Sequence, residues 1–174
     1  TPIFEELGIE KQINEAFQRQ VLLPCGGYLV IDETEALIAI DVNTGRNKGT
    51  KDLDKTILDT NLEAAYEIAR QLRLRNIGGL VVVDFIDMRH RKDQQAVYKA
   101  MKDRLKRDKA KTQVLQITPI GLMEMTRQRL NESLRESVHD PCPYCGGRGR
   151  VKSVMTMSVE IQRQIYACIQ KYRE

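Results

Sequence analysis

Two short aliphatic runs, each ending in an aspartate, flank one long segment with helical periodicity. The runs are residues 36–41 and 79–84. Runs of this length between turn residues are typical of buried strands. The segment between them predicts an amphipathic helix with apolar positions at Leu62, Ala65, Tyr66, Ala69 and Leu72. A helical crossover returns the chain in the same direction, so the two strands should be parallel. We therefore expect Asp41 and Asp84 to lie at the same edge of one sheet, where open α/β sheets bind their ligands.

The remaining pattern predicts further elements around this unit. In chain order they are a helix over 4–19, a hairpin of 28–32 and 36–41, a basic helix over about 92–108 and a strand over 112–117. Residues 122–129 fit a strand and a helix equally well. The last 20 residues predict a helix of a separate packing unit. The fold class is therefore α/β, a mixed sheet with flanking helices.

Composition narrows the class of protein. The chain has 174 residues, 41% of them hydrophobic and 30% charged, which is typical of a globular protein with one core and a small appendage. No apolar stretch approaches the length of about 18–20 residues of a membrane span, and the N-terminus carries no secretory signal. That end lacks an initiator Met and starts inside a predicted helix, so we expect a fragment of a longer protein. The four cysteines favour a reducing compartment.

Basic residues cluster although the net charge is only +4. One group falls within 99–111 and ends at Lys111, and a second group comprises Arg70, Arg73 and Arg75. Polyanions are the natural partners of such patches. Taken alone, the basic runs favour a solvated helix face, and only the neighbouring candidate metal site shifts the balance toward a polyanion. Further candidate phosphate contacts are Arg46 and Lys48, beside the first aspartate, and Arg127 and Arg129, which alternatively pair with Glu124 and Glu132.

The two aspartates predict a site for a hard metal ion. Adjacent carboxylates repel each other unless a cation lies between them. Magnesium prefers oxygen ligands, and one or two carboxylates usually hold it. Asn43 would orient a water or one of the carboxylates, whereas Asp87 serves either around the site or as a cap. The alternative for each strand-ending aspartate alone is a turn cap. Phosphate-loop and serine-hydrolase motifs are absent from the sequence.

Cys142 and Cys145, followed by Gly146 and Gly147, form a second constellation. A Cys-x-x-Cys pair with glycines after it is typical of a zinc knuckle. Structural zinc takes four ligands, so either distant residues of this chain or a second chain completes the site. A redox-active pair is the competing reading, which the glycines after the pair disfavour.

Six blocks in chain order closely resemble the ribonuclease E/G family. They are residues 26–32, 41–45, 61–65, 68–75, 84–88 and 142–145. The Gly-Gly-Tyr and Asn-Thr-Gly sequences look closer to the ribonuclease G branch. The resemblance implies a magnesium-dependent endoribonuclease of bacterial type, acting in the cytoplasm. It would cut single-stranded RNA to leave a 5′-phosphate and a 3′-hydroxyl.

The resemblance also assigns roles. Asp41 and Asp84 match the metal-binding aspartates, Asn43 the asparagine that supports them, and Cys142 and Cys145 a zinc link shared by two protomers. The family prefers 5′-monophosphorylated ends, and the basic position that it uses for this preference matches Lys111. The implied organisation is a lead-in helix and linker (1–25), a DNase I-like catalytic subdomain (26–137), the zinc link (138–153) and the start of a small-domain helix (154–174).

The family's S1 and RNase H-like parts are missing from this sequence. Two hypotheses follow. The chain is the catalytic subdomain of an endoribonuclease, or it is a non-catalytic module for zinc-linked dimerisation and RNA binding. That module would be active only with the missing parts. A DNA nuclease with the same metal chemistry is a third possibility, since discrimination by the 2′-hydroxyl cannot be read from the sequence.

Overall fold

The structure is a computed structural model that describes residues 2–45, 53–140 and 142–172. The chain divides into two compact units, Thr1–Val138 and His139–Glu174. The division lies one residue from the start predicted for the zinc link. None of the helices among the described residues is long and apolar enough to cross a membrane.

One six-stranded mixed sheet organises the described part of the first unit. Its spatial order is β1-β2-β3-β4-β6-β5. The only parallel pair in it joins β3 to β4, and the other neighbours are antiparallel. Its strands are β1 (Gln20–Leu22), β2 (Tyr28–Glu33), β3 (Ile38–Asn43), β4 (Gly79–Asp84), β5 (Thr112–Val114) and β6 (Leu122–Arg127). The predicted fold class, the hairpin and the parallel crossover are confirmed.

Five helices accompany these strands in the described first unit, and one belongs to the second. They are α1 (Ile3–Glu6), α2 (Ile9–Ala16), α3 (Leu53–Leu74), α4 (Arg91–Leu105), α5 (Leu134–Val138) and, in the second unit, α6 (Val154–Lys171). The single helix predicted over 4–19 is wrong, because Gly8 adopts a left-handed φ of 66° and separates α1 from α2. The predicted helix 92–108 ends earlier, at Leu105, and the predicted strand 112–117 ends at Val114. Residues 122–127 form a strand.

Helix α3 covers one face of the sheet with small side chains. Ala64, Ala65 and Ala69 are fully buried and pack in the core. Together with Ile68 they join a core that contains alternate residues of the strands, which are Ile38, Ile40, Val42, Val81, Val83, Met123 and Met125. Tyr66 departs from the prediction, since it is 44% exposed rather than part of the core.

The opposite face of the sheet remains accessible. Along β3 and β4 the buried residues alternate with exposed or half-exposed ones, as the period of two in a strand requires. Asp41 and Asp84 lie on this accessible face, whereas the buried partners of the alternation face α3. The sheet therefore separates an apolar core from a surface that carries carboxylates.

Candidate active site

Asp41 and Asp84 are direct neighbours on the two parallel strands. The register pairs Ile38 with Val81 and, three residues further along, Asp41 with Asp84. Both aspartates are exposed. Asp84 ends β4 as predicted, but β3 continues two residues beyond Asp41. The first carboxylate therefore projects from the face of the sheet rather than from its edge.

Asn43 orients one of the two carboxylates. It lies two residues after Asp41 on the same side of β3, and its side-chain Nδ2 donates a hydrogen bond of 2.7 Å to Asp41 Oδ2. This bond occupies one oxygen of Asp41 and leaves the other available. The structure thus brings together the three residues for which the sequence predicted a joint role.

The electrostatics of the pair favour a bound cation. Partial burial raises the pKa of Asp84 above its ordinary value, and the negative charges of Asp41 and Asp87 raise it further. Neighbouring carboxylates disfavour the ionised form of such a group, and a positive charge that enters the site stabilises that form. The shift therefore has the sign expected of a cation site.

Asp87 lies close enough to Asp84 to contribute to this repulsion. It is exposed. The alternative role as a helix cap does not fit, because His90 occupies the N-cap position of α4. Asp87 is thus a third negative group beside the pair.

The donor set fits magnesium. Among the described residues, no group of three or more His, Cys, Asp or Glu side chains lies close enough to enclose a metal ion. Magnesium does not require such a cage, because it keeps several waters and is held by one or two carboxylates together with phosphate oxygens. Asp41 and Asp84 would hold it on the accessible face of the sheet, leaving its other positions for water and substrate.

Gly27 supports Asn43, and the sequence pattern indicated it only as a helix breaker. A Cβ atom at Gly27 would lie 2.7 Å from the backbone oxygen of Asn43 and 3.1 Å from Cγ2 of Thr60. Both distances are shorter than ordinary van der Waals contact. The chain can therefore pass between β3 and α3 at this point only without a side chain. Two consecutive glycines just before a predicted strand were the available signal.

The predicted RNA contacts in the described residues lie away from the carboxylates. Arg127 pairs with Gly79 at the start of β4, and Lys111 lies near the same end of the sheet, directly before β5. Five residues of strand separate that end from Asp84, which is about 17 Å. Arg70 and Arg73 lie nine and twelve residues beyond Asn61 on α3, or about 14–18 Å along the helix from the residue that contacts the end of β4.

Arg127 is part of the fold. Its guanidinium donates to Asp108 at 2.7 and 3.1 Å and to the backbone oxygen of Ile77 at 2.7 Å, and both side chains of the ion pair are almost fully buried. Burial opposes ionisation of Asp108, but hydrogen bonds from Arg127 and from the Ala110 N–H keep its pKa below the ordinary value. Arg127 is therefore buried and bonded within the protein, so the structure assigns it a role in the fold.

The other predicted contacts differ in availability. Arg70 is bonded to Glu67 and Gln12, and the Nε of Arg129 donates to the backbone oxygen of Gly78. Arg73 and Lys111 are exposed. The predicted contacts at Arg46 and Lys48 lie outside the described residues.

Cys142 and Cys145 face each other across a tight turn in the second unit. The N–H of Gly146 donates 2.7 Å to the carbonyl of Cys142, and that of Arg148 donates 3.1 Å to the carbonyl of Cys145. Backbone N–H groups of Cys145 and Tyr144, together with the Cys145 thiol, lower the pKa of the Cys142 thiol. Thiolates are the form that binds zinc. In the described part of the chain no third ligand joins them. Two thiols are half of the four ligands that a tetrahedral zinc site takes.

The chain belongs to the Ribonuclease E/G family, because the sequence profile of that family matches residues 1–130. This finding confirms the resemblance, and the first five of the six sequence blocks lie within the matched residues. It places the aspartate pair, Asn43 and the buried strands within the matched region.

Curated relatives come from both branches of the family. The chain is 46% identical over 164 residues to ribonuclease G of Salmonella typhimurium, covering 94% of this chain and 34% of that protein. It is 52% identical over 162 residues to ribonuclease E of Haemophilus influenzae and 51% identical over 164 residues to ribonuclease E of Escherichia coli. These two matches cover 93% and 94% of this chain but only 17% and 16% of the relatives. Two motifs of the chain look closer to the ribonuclease G branch, but its overall identity is no higher to ribonuclease G than to ribonuclease E. The chain spans at most about a third of the length of these relatives.

Proposed function

We propose that this chain is the catalytic part of a magnesium-dependent endoribonuclease that cuts single-stranded RNA. The observation that carries the proposal is the pairing of Asp41 with Asp84 on adjacent parallel strands, with Asn43 bonded to one carboxylate. Membership of the family supports RNA as the substrate class, because the relatives are named ribonucleases.

The residues of the site divide the work between them. Asp41 and Asp84 hold the cation, and Asn43 keeps one oxygen of Asp41 from turning away. When bound, magnesium supplies an activated water and neutralises charge on the scissile phosphate. Water attack at phosphorus breaks the bond to the 3′ oxygen, so the products carry a 5′-phosphate and a 3′-hydroxyl. Asp87 adds negative charge beside the pair, which strengthens attraction for the cation.

The RNA would run along the accessible face of the sheet. Lys111 directly precedes β5, two strands from β4 and near the end of the sheet opposite Asp84, so it would contact a phosphate more than about 17 Å from Asp84. This separation suits the 5′-monophosphate preference that the resemblance implies, since the 5′ end would then lie several nucleotides from the cleavage site.

The second unit would link two copies of the chain through zinc. Its two thiols fill half of a tetrahedral site, and a two-fold partner contributes the other half. The alternative function is that the chain serves only as a zinc-linked module that binds RNA. The accessible aspartate pair favours the catalytic reading, because dimerisation gives no reason for two unneutralised carboxylates to be neighbours.

Cleavage of a short 5′-monophosphorylated single-stranded RNA tests the catalytic proposal. The chain is expected to cut it in magnesium and not in chelator, and Asp41→Asn and Asp84→Asn each abolish cutting while the circular dichroism spectrum stays unchanged. Asp103→Asn is the matched control, since it removes an exposed aspartate that is paired with Lys106 on α4. If both Asp41→Asn and Asp84→Asn still cut the RNA, the catalytic proposal is refuted. Absence of cutting by the unaltered chain would favour the non-catalytic module.

Zinc content and mass test the proposed link. About one zinc ion per two chains and a dimeric mass are expected, and Cys142→Ser should abolish both. Cys168→Ser is the control, because that exposed cysteine lies in the same unit outside the knuckle. One zinc per chain in a monomer would show a closed site within one chain instead.

A further inference from the structure

Asn61 is a buried polar residue with an unusual pair of partners. It lies on α3 and is fully buried. Its Nδ2 donates 2.8 Å to the backbone oxygen of Ile86, and its Oδ1 accepts 3.1 Å from the backbone N–H of the same residue. The side chain thus satisfies both polar groups of one residue, 25 positions further along the chain.

Ile86 lies just beyond the ladder of β4. That strand ends at Asp84, and its pairings with β3 and β6 end at the same residue. Backbone groups that are half-buried at such a point need other partners. Asn61 replaces the missing strand neighbour, and Phe85, which is 2% exposed, anchors the intervening residue in the core. Asp84 is therefore fixed by the ladder on one side and by Asn61 on the other.

The same turn of α3 also contacts the other half of the site. Thr60 precedes Asn61, is fully buried, and packs against Gly27. Gly27 in turn lies against the backbone oxygen of Asn43. One helical turn therefore contacts the segment after Asp84 directly, and it contacts the strand that carries Asp41 through Gly27.

We propose that Asn61 is a positioning residue whose amide holds the backbone at Ile86 and so directs the carboxylate of Asp84 toward the cation. The inference rests on the proposed function, since it concerns the same cation site. A merely structural Asn61 would affect stability alone. A positioning Asn61 also affects how tightly each folded molecule binds the cation.

Binding of Mn²⁺ as a magnesium substitute separates these roles without requiring catalysis. Substitution of a residue that orients a metal ligand typically lowers metal affinity about 10–100-fold. We therefore expect Asn61→Leu to weaken Mn²⁺ binding about tenfold. Electron paramagnetic resonance of free Mn²⁺ measures the affinity, with zinc present to occupy the thiols. The amide of Ile86 should also exchange its hydrogen faster in the variant.

Gln71→Leu is the matched control. Gln71 is another buried amide of α3, bonded to Glu67 and Arg75 rather than to the end of β4. It should lose comparable stability and keep its Mn²⁺ affinity. Equal affinities in Asn61→Leu, the control and the unaltered chain would overturn the inference.

Two further variants keep the test decisive. If Asn61→Leu does not fold, Asn61→Asp removes only the donor to Ile86 and adds a negative charge. Charge alone would tighten Mn²⁺ binding, so weaker binding supports positioning and tighter binding refutes it.

Asp84→Asn should abolish binding. If it does not, the cation site of the proposed function is itself wrong, and the inference fails with it. If it does, an unaffected Asn61 variant refutes the inference alone.

Discussion

Removing one of the paired aspartates should make the magnesium-free protein more stable. In Asp84→Asn the neutral amide keeps the shape of the side chain and eliminates its repulsion with Asp41 and Asp87. Active sites commonly carry such destabilising arrangements for the sake of function. The expected result is therefore a higher melting temperature together with loss of activity.

The magnitude follows from the sheet geometry. Neighbouring strands lie about 4.8 Å apart. Two unit charges about 5 Å apart repel by about 0.8 kcal/mol in water and by about 3 kcal/mol near a less polar surface. Both carboxylates are exposed, so the lower value applies, and the gain should be about 1 kcal/mol including Asp87. For a domain of this size, that corresponds to about 4 °C in melting temperature.

The gain should depend on pH with a defined sign. The pKa of Asp84 is raised in the folded state, so ionisation costs more free energy there than in the unfolded chain. Below the ordinary carboxyl value both states are protonated and this cost is absent. Stability of the unaltered chain is then lost as the pH rises through the folded pKa. Asp84→Asn should accordingly match the unaltered chain near about pH 3 and exceed it near about pH 7.

Thermal unfolding with and without magnesium, in zinc-containing buffer, measures both effects. Magnesium at ten times its Kd should stabilise the unaltered chain by about 1.4 kcal/mol and leave Asp84→Asn unchanged. Asp103→Asn, which removes a carboxylate paired with Lys106, should show no gain. A lower melting temperature for magnesium-free Asp84→Asn would refute the repulsion argument, and continued stabilisation by magnesium would refute the assignment of the ligand.

Three other changes should have distinct effects. Asp108→Asn breaks the buried pair with Arg127 and should lower the free energy of unfolding by about 3 kcal/mol in urea titrations. The effect should shrink as the pH falls, because Asp108 is then protonated in the unaltered chain as well. A change below about 1 kcal/mol would show that the pair contributes little to stability. Gly27→Ala places a methyl group against the oxygen of Asn43 and should lose about 1–3 kcal/mol and most magnesium affinity, as calorimetry would show. Cys142→Ser should convert dimers into monomers in light scattering, and an unchanged mass would contradict the zinc link.

Local sequence patterns predicted the centre of the sheet well. The aliphatic runs of β3 and β4 and the helical period between them depend on residues close in sequence, so the parallel pairing of Asp41 with Asp84 could be predicted. β1 was missed because it has only three residues, and its pairing with β2 stabilises it rather than any pattern of its own. For β6, helix-favouring Leu, Met and Glu residues concealed a period of two that its pairing with β4 establishes.

Partners distant in sequence explain the errors at single residues. Arg127 was expected at the surface, but Asp108 and the carbonyl of Ile77, 19 and 50 residues away, draw it into the fold. Asn61 is a polar residue that is fully buried on α3. Its burial depends on Ile86, which has no strand partner only because β4 ends at Asp84. No local pattern contains that information.

Anomalous diffraction from crystals soaked in Mn²⁺ would test the central claim most directly. The account predicts a peak between the carboxylates of Asp41 and Asp84, on the accessible face of the sheet, and no peak there in Asp84→Asn. An unaltered chain with ordered side chains but no peak at this pair, at a Mn²⁺ concentration that saturates cleavage or binding in solution, would contradict it.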